Sequence, residues 1–365
     1  MAIAWRQISI TIATAVLLCA ASVQAKEATV LRFYNWTDYI DPAVLDDFTK
    51  ETGIRVEYTT FETSEELEQK ILSKTSGYDL VVTAATFLAR QRAKGFFQKI
   101  DKTLLKNYAK IDRELLGKLQ ASDPDNSYGV PYLWGTTIFA YNKRQVTALL
   151  GKDAPLDSWK LLFNLDHAKA LSACGIAMID SPSEVLPELL RYAGQIPNSQ
   201  NPLDYSAADR HLQKLRSSIR YFGGEEIIDD LANGKICIAL SYSGDLSQAR
   251  AKARDNNGDE IVLVNPIEGA QMWTDMMAIP VDSKDRATVH QLIDFLLRPQ
   301  NMARISNMVE YANPEPSSWP MVEEAIRTDT ALFPNADAQK KLYTQYLLTD
   351  AIQKIHERIW RGVKK

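Results

Sequence analysis

The sequence predicts an α/β protein of two lobes, each a mainly parallel sheet flanked by helices, with a cleft between them. Three observations carry this prediction. Short apolar runs alternate with amphipathic helical stretches along the chain, and strand–helix–strand–helix order builds a parallel sheet covered by helices. The 365 residues exceed what one core organises, since single cores stop growing at around 250–300 residues. No internal repeat, low-complexity tract or long charge block interrupts the pattern. The two halves therefore adjoin and leave a cleft, with no disordered linker between them.

Residues 1–25 stand apart. One positive charge, Arg6, precedes an apolar stretch from Ile8 to Ala20 and a small-residue pattern, Val23-Gln24-Ala25. That order is a secretory signal peptide, so the remainder is expected to be exported. The apolar run is short of the about 20 residues that a membrane span needs. Cys19 would suit lipid attachment, but Leu18 before it is bulky where a small residue is wanted. Removing 25 of the 365 residues leaves 340, and losing Arg6 makes the remainder one unit more acidic than the whole chain's −4. Mild acidity argues against a nucleic-acid partner, which needs a basic face. A second long apolar run is absent, which predicts a soluble mature chain. Cys174 and Cys237 remain, either as a disulfide suited to an oxidising compartment or as two buried thiols.

The elements follow in order. Thr29–Phe33 reads as a strand, and Pro42 to Thr52 as a helix stopped at Gly53 with Val44, Leu45 and Phe48 on one face. Ile54–Tyr58 is a second strand. Thr63 followed by Glu66 is a capping box opening a helix through Leu67, Ile71 and Leu72. Tyr78–Val82 is a third strand, followed by a loop Thr83-Ala84-Ala85-Thr86 and a helix through Phe87, Leu88 and Gln91. Asp123-Pro124-Asp125-Asn126 is a turn cluster. Val130–Trp134 and Thr137–Tyr141 read as strands near a crossover. Beyond them come a helix over Ala168–Ala173, strand Ile176–Ile179, a helix from Pro182, strand Ile236–Leu240, strand Met276–Ile279 and a long amphipathic helix over about 338–362.

Ligands of such sheets sit beyond the carboxyl ends of strands, and there the chain places aromatics beside acids. Trp36-Thr37-Asp38-Tyr39 ends the first strand. Ile236–Leu240 runs into Ser241-Tyr242-Ser243-Gly244-Asp245. Trp273-Thr274-Asp275 precedes Met276–Ile279, Ile176–Ile179 leads to Asp180 and Glu184, and Tyr311 follows an amphipathic helix. Asp is costly to bury unpaired, whereas ring faces attract a cation by about 0.5–2 kcal/mol. A charge-assisted hydrogen bond to a carboxylate adds about 1.5–3 kcal/mol. One cleft lined this way would take separated positive charges on an apolar spacer. Ordinary carboxylate pKa values would then make binding fail below about pH 5. Against this stand simpler roles. A Trp-x-Asp is commonly a capped turn beside a packed ring, Glu184 can complement a helix dipole, and Asp180 reads as a cap. Trp134, Trp159 and Trp360 read as packing residues.

These residues carry a resemblance. Tyr34-Asn35-Trp36-Thr37-Asp38-Tyr39-Ile40, Phe48 to Ile54, Tyr78 to Val82, Asp157-Ser158-Trp159, Asp229 to Gly234 with Ile236-Cys237, Ser243-Gly244-Asp245 and Leu296 to Pro299 occur in an order that resembles the periplasmic polyamine-binding proteins of bacterial ABC importers, especially the putrescine and spermidine receptors. The likeness spans the whole mature chain. It implies the type II periplasmic binding protein fold, with 26–136 plus about 273–315 in one lobe and about 137–272 plus 316–365 in the other. It implies a polyamine clamped between lobes, an aromatic box of Trp36, Tyr39, Tyr242, Trp273 and Tyr311, and Asp38, Glu184, Asp245 and Asp275 taking the ammonium groups, with Thr37 at a hydroxyl position. It pairs Cys174 with Cys237, and it implies a monomer that hands its ligand to a membrane permease and needs no cofactor or metal. Departures fall at Thr83-Ala84, where a site hydroxyl is missing, and at Thr37, Tyr242, Trp273 and Gly223-Gly224. They touch the choice among putrescine, cadaverine and spermidine.

An enzyme finds little support. His167, His211, His290 and His356 are scattered without metal-ligand spacing, and neither a Gly-x-Ser-x-Gly elbow nor a phosphate-binding loop occurs. Ser243 has no assignable base, so a periplasmic hydrolase is a distant second to a receptor of this fold for another small organic cation. An amino-acid receptor would want an Arg for the carboxylate, and none of the cleft positions is Arg.

Overall fold

A computed structural model describes residues 29–62, 64–345 and 347–365. The leader and Thr63 of the capping box lie outside them. Ten strands form one hydrogen-bonded sheet system. They are β1 (Val30–Trp36), β2 (Arg55–Phe61), β3 (Leu80–Ala84), β4 (Gly129–Asn142), β5 (Ile176–Ile179), β6 (Tyr221–Gly223), β7 (Ile238–Tyr242), β8 (Ile261–Val264), β9 (Gln271–Ala278) and β10 (Tyr343–Thr344). The order is β2-β1-β3-β9-β4-β7-β5-β6, with β8 on β4 and β10 on β9.

Each lobe carries a parallel trio. In the first, β1 lies between β2 and β3. In the second, β5 lies between β6 and β7. Antiparallel β4 and β9 join the trios: β9 pairs with β3, and β4 pairs with β9 through its first half and with β7 and β8 through its second. The 14 residues of β4 are buried throughout, so one strand is core to both lobes. Pro131 is tolerated because the register slips between Pro131 and Leu133, and a bulge spares a ladder donor that proline lacks.

Local signals explain the first lobe. Asp41 caps the helix Pro42–Thr52 by accepting from Ala43 N at 2.9 Å, and Gly53 ends it at φ +73°, where a left-handed residue without Cβ costs least. Val44, Leu45 and Phe48 pack with Leu31, Phe33, Leu80 and Val82. In the second lobe Trp159, Met178, Leu186, Ile238 and Leu240 share a core. Cys174 and Cys237 are disulfide-bonded with Cα atoms 5.5 Å apart, tying the turn before β5 to the start of β7.

Five expectations are corrected. The strands read at 130–134 and 137–141 are one strand, and β9 begins at Gln271 instead of Met276, because polar residues on one face of a crossover strand break its apolar run. Residues 83–86 form no loop: β3 runs to Ala84 and the helix Ala85–Arg92 starts at the next residue. The long helix of 338–362 is a short helix Ala336–Gln339, strand β10, and a helix Asp350–Val363 capped by Thr349. Asp180 is no cap. Ser181 holds that position at the helix Pro182–Tyr192, and Asp180 accepts from Trp360 Nε1 at 2.7 Å and pairs with Lys364, fastening the C-terminal helix. Trp134, Trp159 and Trp360 are buried packing residues as expected.

Candidate ligand-binding cleft

Strand periodicity assembles the cleft. Side chains two apart on a strand share a face, so Gln271, Trp273 and Asp275 project together from β9. Their antiparallel partners on β4 are Thr137, Gly135 and Leu133, and Asp275 is also opposite Ala84 on β3. Across β4, Thr137 is opposite Tyr242 of β7. The crossover strands thus form a floor that carries an aromatic between a carboxylate and an amide, bounded by Ala84 on one side and Tyr242 on the other.

Rings enclose this floor. Trp273 stands edge-on to Tyr242 and Tyr311, with centroids 5.7 and 4.9 Å apart. Tyr311 meets Tyr39 at 5.9 Å. Trp36 is half-buried at the end of β1, 4.4 Å from Phe61. Trp36 Nε1, Tyr39 Oη and Trp273 Nε1 are buried without a protein partner, and buried donors of this kind call for one. Thr37 and Asp38 lie exposed on the turn after β1. Asp38 adopts φ +50°, and Thr37 Oγ1 donates back to Phe61 O at 3.3 Å. The structure therefore joins seven of the ten expected site residues into one constellation, with Trp36 beside Phe61 and with Thr37 and Asp38 on the turn after it.

Three carboxyls lie among the rings. Glu184, in the first turn of its helix, accepts from Thr137 Oγ1 at 2.6 Å, from Gln271 Nε2, and from Gln345 Nε2 at 3.2 Å. Burial outweighs these donors and pushes its carboxyl up to about 7. Asp275 is likewise pushed to about 7 by burial; the nearby Tyr39 hydroxyl opposes this weakly, without a hydrogen bond of normal geometry. Asp245 accepts from Ser241 Oγ at 3.3 Å and Tyr311 Oη at 3.4 Å, and burial raises it to about 6. Behind them, Glu188 accepts from Gln271 N at 2.7 Å and is held well above the usual range by burial. Among the described residues none of these acids is ion-paired, and no group of three or more His, Cys, Asp or Glu could hold a metal ion.

Sequence reading missed Thr137, Ser241, Gln271 and Gln345. Gln271 was recoverable, being two residues before Trp273 on the same strand. Gln345 was not, since 161 residues separate it from Glu184.

Two α/β lobes on crossover strands, with unpaired acids and ring faces between them, define a two-lobed ligand-capturing protein. The chain belongs to the bacterial extracellular solute-binding proteins, whose family description matches residues 43–334. It is 41% identical over 346 residues to the putrescine-binding periplasmic protein SpuD of Pseudomonas aeruginosa, covering 94% of each chain. Identity is 40% over 355 residues to the putrescine-binding periplasmic protein PotF of Escherichia coli, covering 97% of this chain and 96% of the relative. Among solved structures, the spermidine/putrescine substrate-binding protein PotD of Streptococcus pneumoniae superposes with a TM-score of 0.82 at 27% identity, covering 93% of this chain and all of that one. The resemblance read from the sequence therefore holds, and it places the chain among receptors, not enzymes. No helix among the described residues is long and apolar enough to cross a membrane.

Proposed function

We propose that the protein is a periplasmic receptor that captures a polyamine, putrescine first and spermidine next, and delivers it as a monomer to the permease of an ABC importer. The observation that carries this reading is the placement of buried Glu184 and Asp275 and half-buried Asp245, none ion-paired among the described residues, around the rings of Tyr39, Tyr242, Trp273 and Tyr311. A buried carboxylate is costly until a cation pairs with it. A diamine supplies a cation at each end and methylenes for the rings between. The close relatives named for putrescine binding support the same choice.

On this reading the lobes comprise 26–136 plus about 273–315, and about 137–272 plus 316–365. Asp245 and Glu184 then belong to the second lobe and Asp275 to the crossover floor of the first. A ligand bridging them favours closure in proportion to its preference for the closed state. The test is calorimetry of the purified protein with putrescine, cadaverine, spermidine and butane-1,4-diol, the uncharged isostere of putrescine. Saturable binding of at least one amine with none of the alcohol is expected. Equal binding of both, or of neither, sinks the proposal.

A further inference from the structure

Two glycines determine where the cleft's rings lie. Gly135 of β4 faces Trp273 across the ladder. A Cβ on Gly135 would run into Cζ2 of the indole and come within 2.9 Å of Cη2 and 3.0 Å of Cε2. Gly244, the second residue of the helix Ser243–Asn256, is covered by Tyr311. A Cβ there would meet Cζ and lie 2.6 Å from Cε1 and 2.7 Å from Oη. Neither glycine has positive φ, so backbone conformation does not demand glycine at either place. Close approach of a ring does.

The atoms that would have to yield decide the consequence. At Gly129 an added Cβ would press on Leu88 and Met276 in the core, and at Gly269 on the backbone of Lys341. At Gly135 and Gly244 the three nearest atoms all belong to two cleft rings. Those rings touch each other edge-on at 4.9 Å. Gly135, Trp273, Tyr311 and Gly244 therefore form one packed row, within which Tyr311 Oη donates to Asp245 at 3.4 Å. A methyl at either glycine must displace a ring that lines the cleft.

We propose that Gly135 and Gly244 are positioning residues for ligand selection, which set the depth of Trp273 and Tyr311 and thereby the length of amine the cleft accepts. The inference rests on the polyamine reading above. A methyl at either glycine narrows the cleft, so the longer amine should lose more than the shorter.

The experiment compares Gly135→Ala, Gly244→Ala and the control Gly117→Ala, whose Cβ meets nothing within 4 Å, by calorimetry with putrescine, cadaverine and spermidine. Both cleft variants should lose roughly tenfold or more in spermidine affinity, with a smaller loss for putrescine, and both should melt below the control without ligand, because overpacking also strains the fold. In a Trp273→Phe background the smaller ring leaves room, so adding Gly135→Ala should change affinity little; that non-additivity marks an effect passing through Trp273. Unchanged affinities in both cleft variants overturn the inference. So does an equal loss for every amine that persists in the Trp273→Phe background. A wild-type protein that binds none of the amines overturns the polyamine reading, and this inference with it.

Discussion

Thr137 on β4 and Gln271 on β9 stand opposite each other in register, and both donate to the same oxygen, Oε2 of Glu184. The two strands that join the lobes thus hold one acid of the cleft between them. A change in their relative twist or shift would alter how that carboxylate is held, which connects lobe geometry to ligand charge through two hydrogen bonds.

Removing one of these donors tests the connection. Thr137→Val keeps the β-branched shape and deletes the hydroxyl. A hydrogen bond to a charged group contributes about 1.5–3 kcal/mol, so amine affinity should fall roughly ten- to hundredfold, and the pH needed for full affinity should rise as Glu184 becomes harder to ionise. Calorimetry from pH 5.5 to pH 9 reads both effects, the pH values spanning the raised carboxyl range. Equal affinity at every pH would show that Thr137 does not support Glu184.

Asp275→Asn should act on stability and binding with opposite signs. The folded carboxyl titrates near 7, raised from 3.8 by burial, so its ionised form is penalised in the fold. That penalty is fully present above the folded pKa and vanishes as pH falls below the unfolded value. At pH 8 the ligand-free variant should therefore melt higher than wild type, by roughly 0.5–2 kcal/mol of stability, the usual scale of a stabilising substitution. At pH 4 the two should melt alike. Amine binding should be weakened strongly at pH 8, because an ammonium loses its partner, and much less at pH 4, where the wild-type carboxyl is itself protonated. Parallel losses of stability and affinity at pH 8 would contradict the assignment.

How much of this was legible before the structure follows the kind of signal each residue sends. Trp36 and Tyr39 were legible because an acid and two aromatics at a strand end make poor core. Trp273 and Asp275 were recognised for their composition yet misplaced, since Gln271 and Thr274 interrupt the apolar pattern that marks a strand. The parallel trios were legible from alternating strands and helices, whereas the 14-residue β4 was split in two by Gly135 and Thr136. Gly135 and Gly244 sent a misleading signal: glycine in a sequence suggests a turn, and only coordinates show a ring lying on it. Raised pKa values were invisible as well, because burial is a property of the fold.

The disulfide gives a prediction outside the cleft. Cys174 and Cys237 close a loop spanning 63 positions, for which chain entropy gives about 4 kcal/mol of stabilisation. Cys174→Ser/Cys237→Ser should lower the melting temperature and the denaturant midpoint accordingly. It should leave amine affinity at 25 °C near that of wild type, since neither cysteine touches a cleft residue. A large affinity loss in a variant that still melts cooperatively would show that the bond also shapes the site.

The strongest departure from ordinary behaviour should appear in the pH profile of the unaltered protein. Usual carboxylates would keep affinity flat down to about pH 5. Here Glu184 and Asp275 titrate near 7 and Asp245 near 6, each raised by burial. A cation binds the ionised forms, so capture at neutral pH must release protons, and affinity must rise with pH through the range from 6 to 7 before levelling off at about 8, where all three are ionised without ligand. Calorimetry at pH 7 in two buffers of different ionisation enthalpy counts the protons directly. A net release of close to one proton or more per amine is expected. No buffer dependence, together with a flat affinity from pH 5 to pH 8, would mean that these carboxyls are already ionised before the amine arrives.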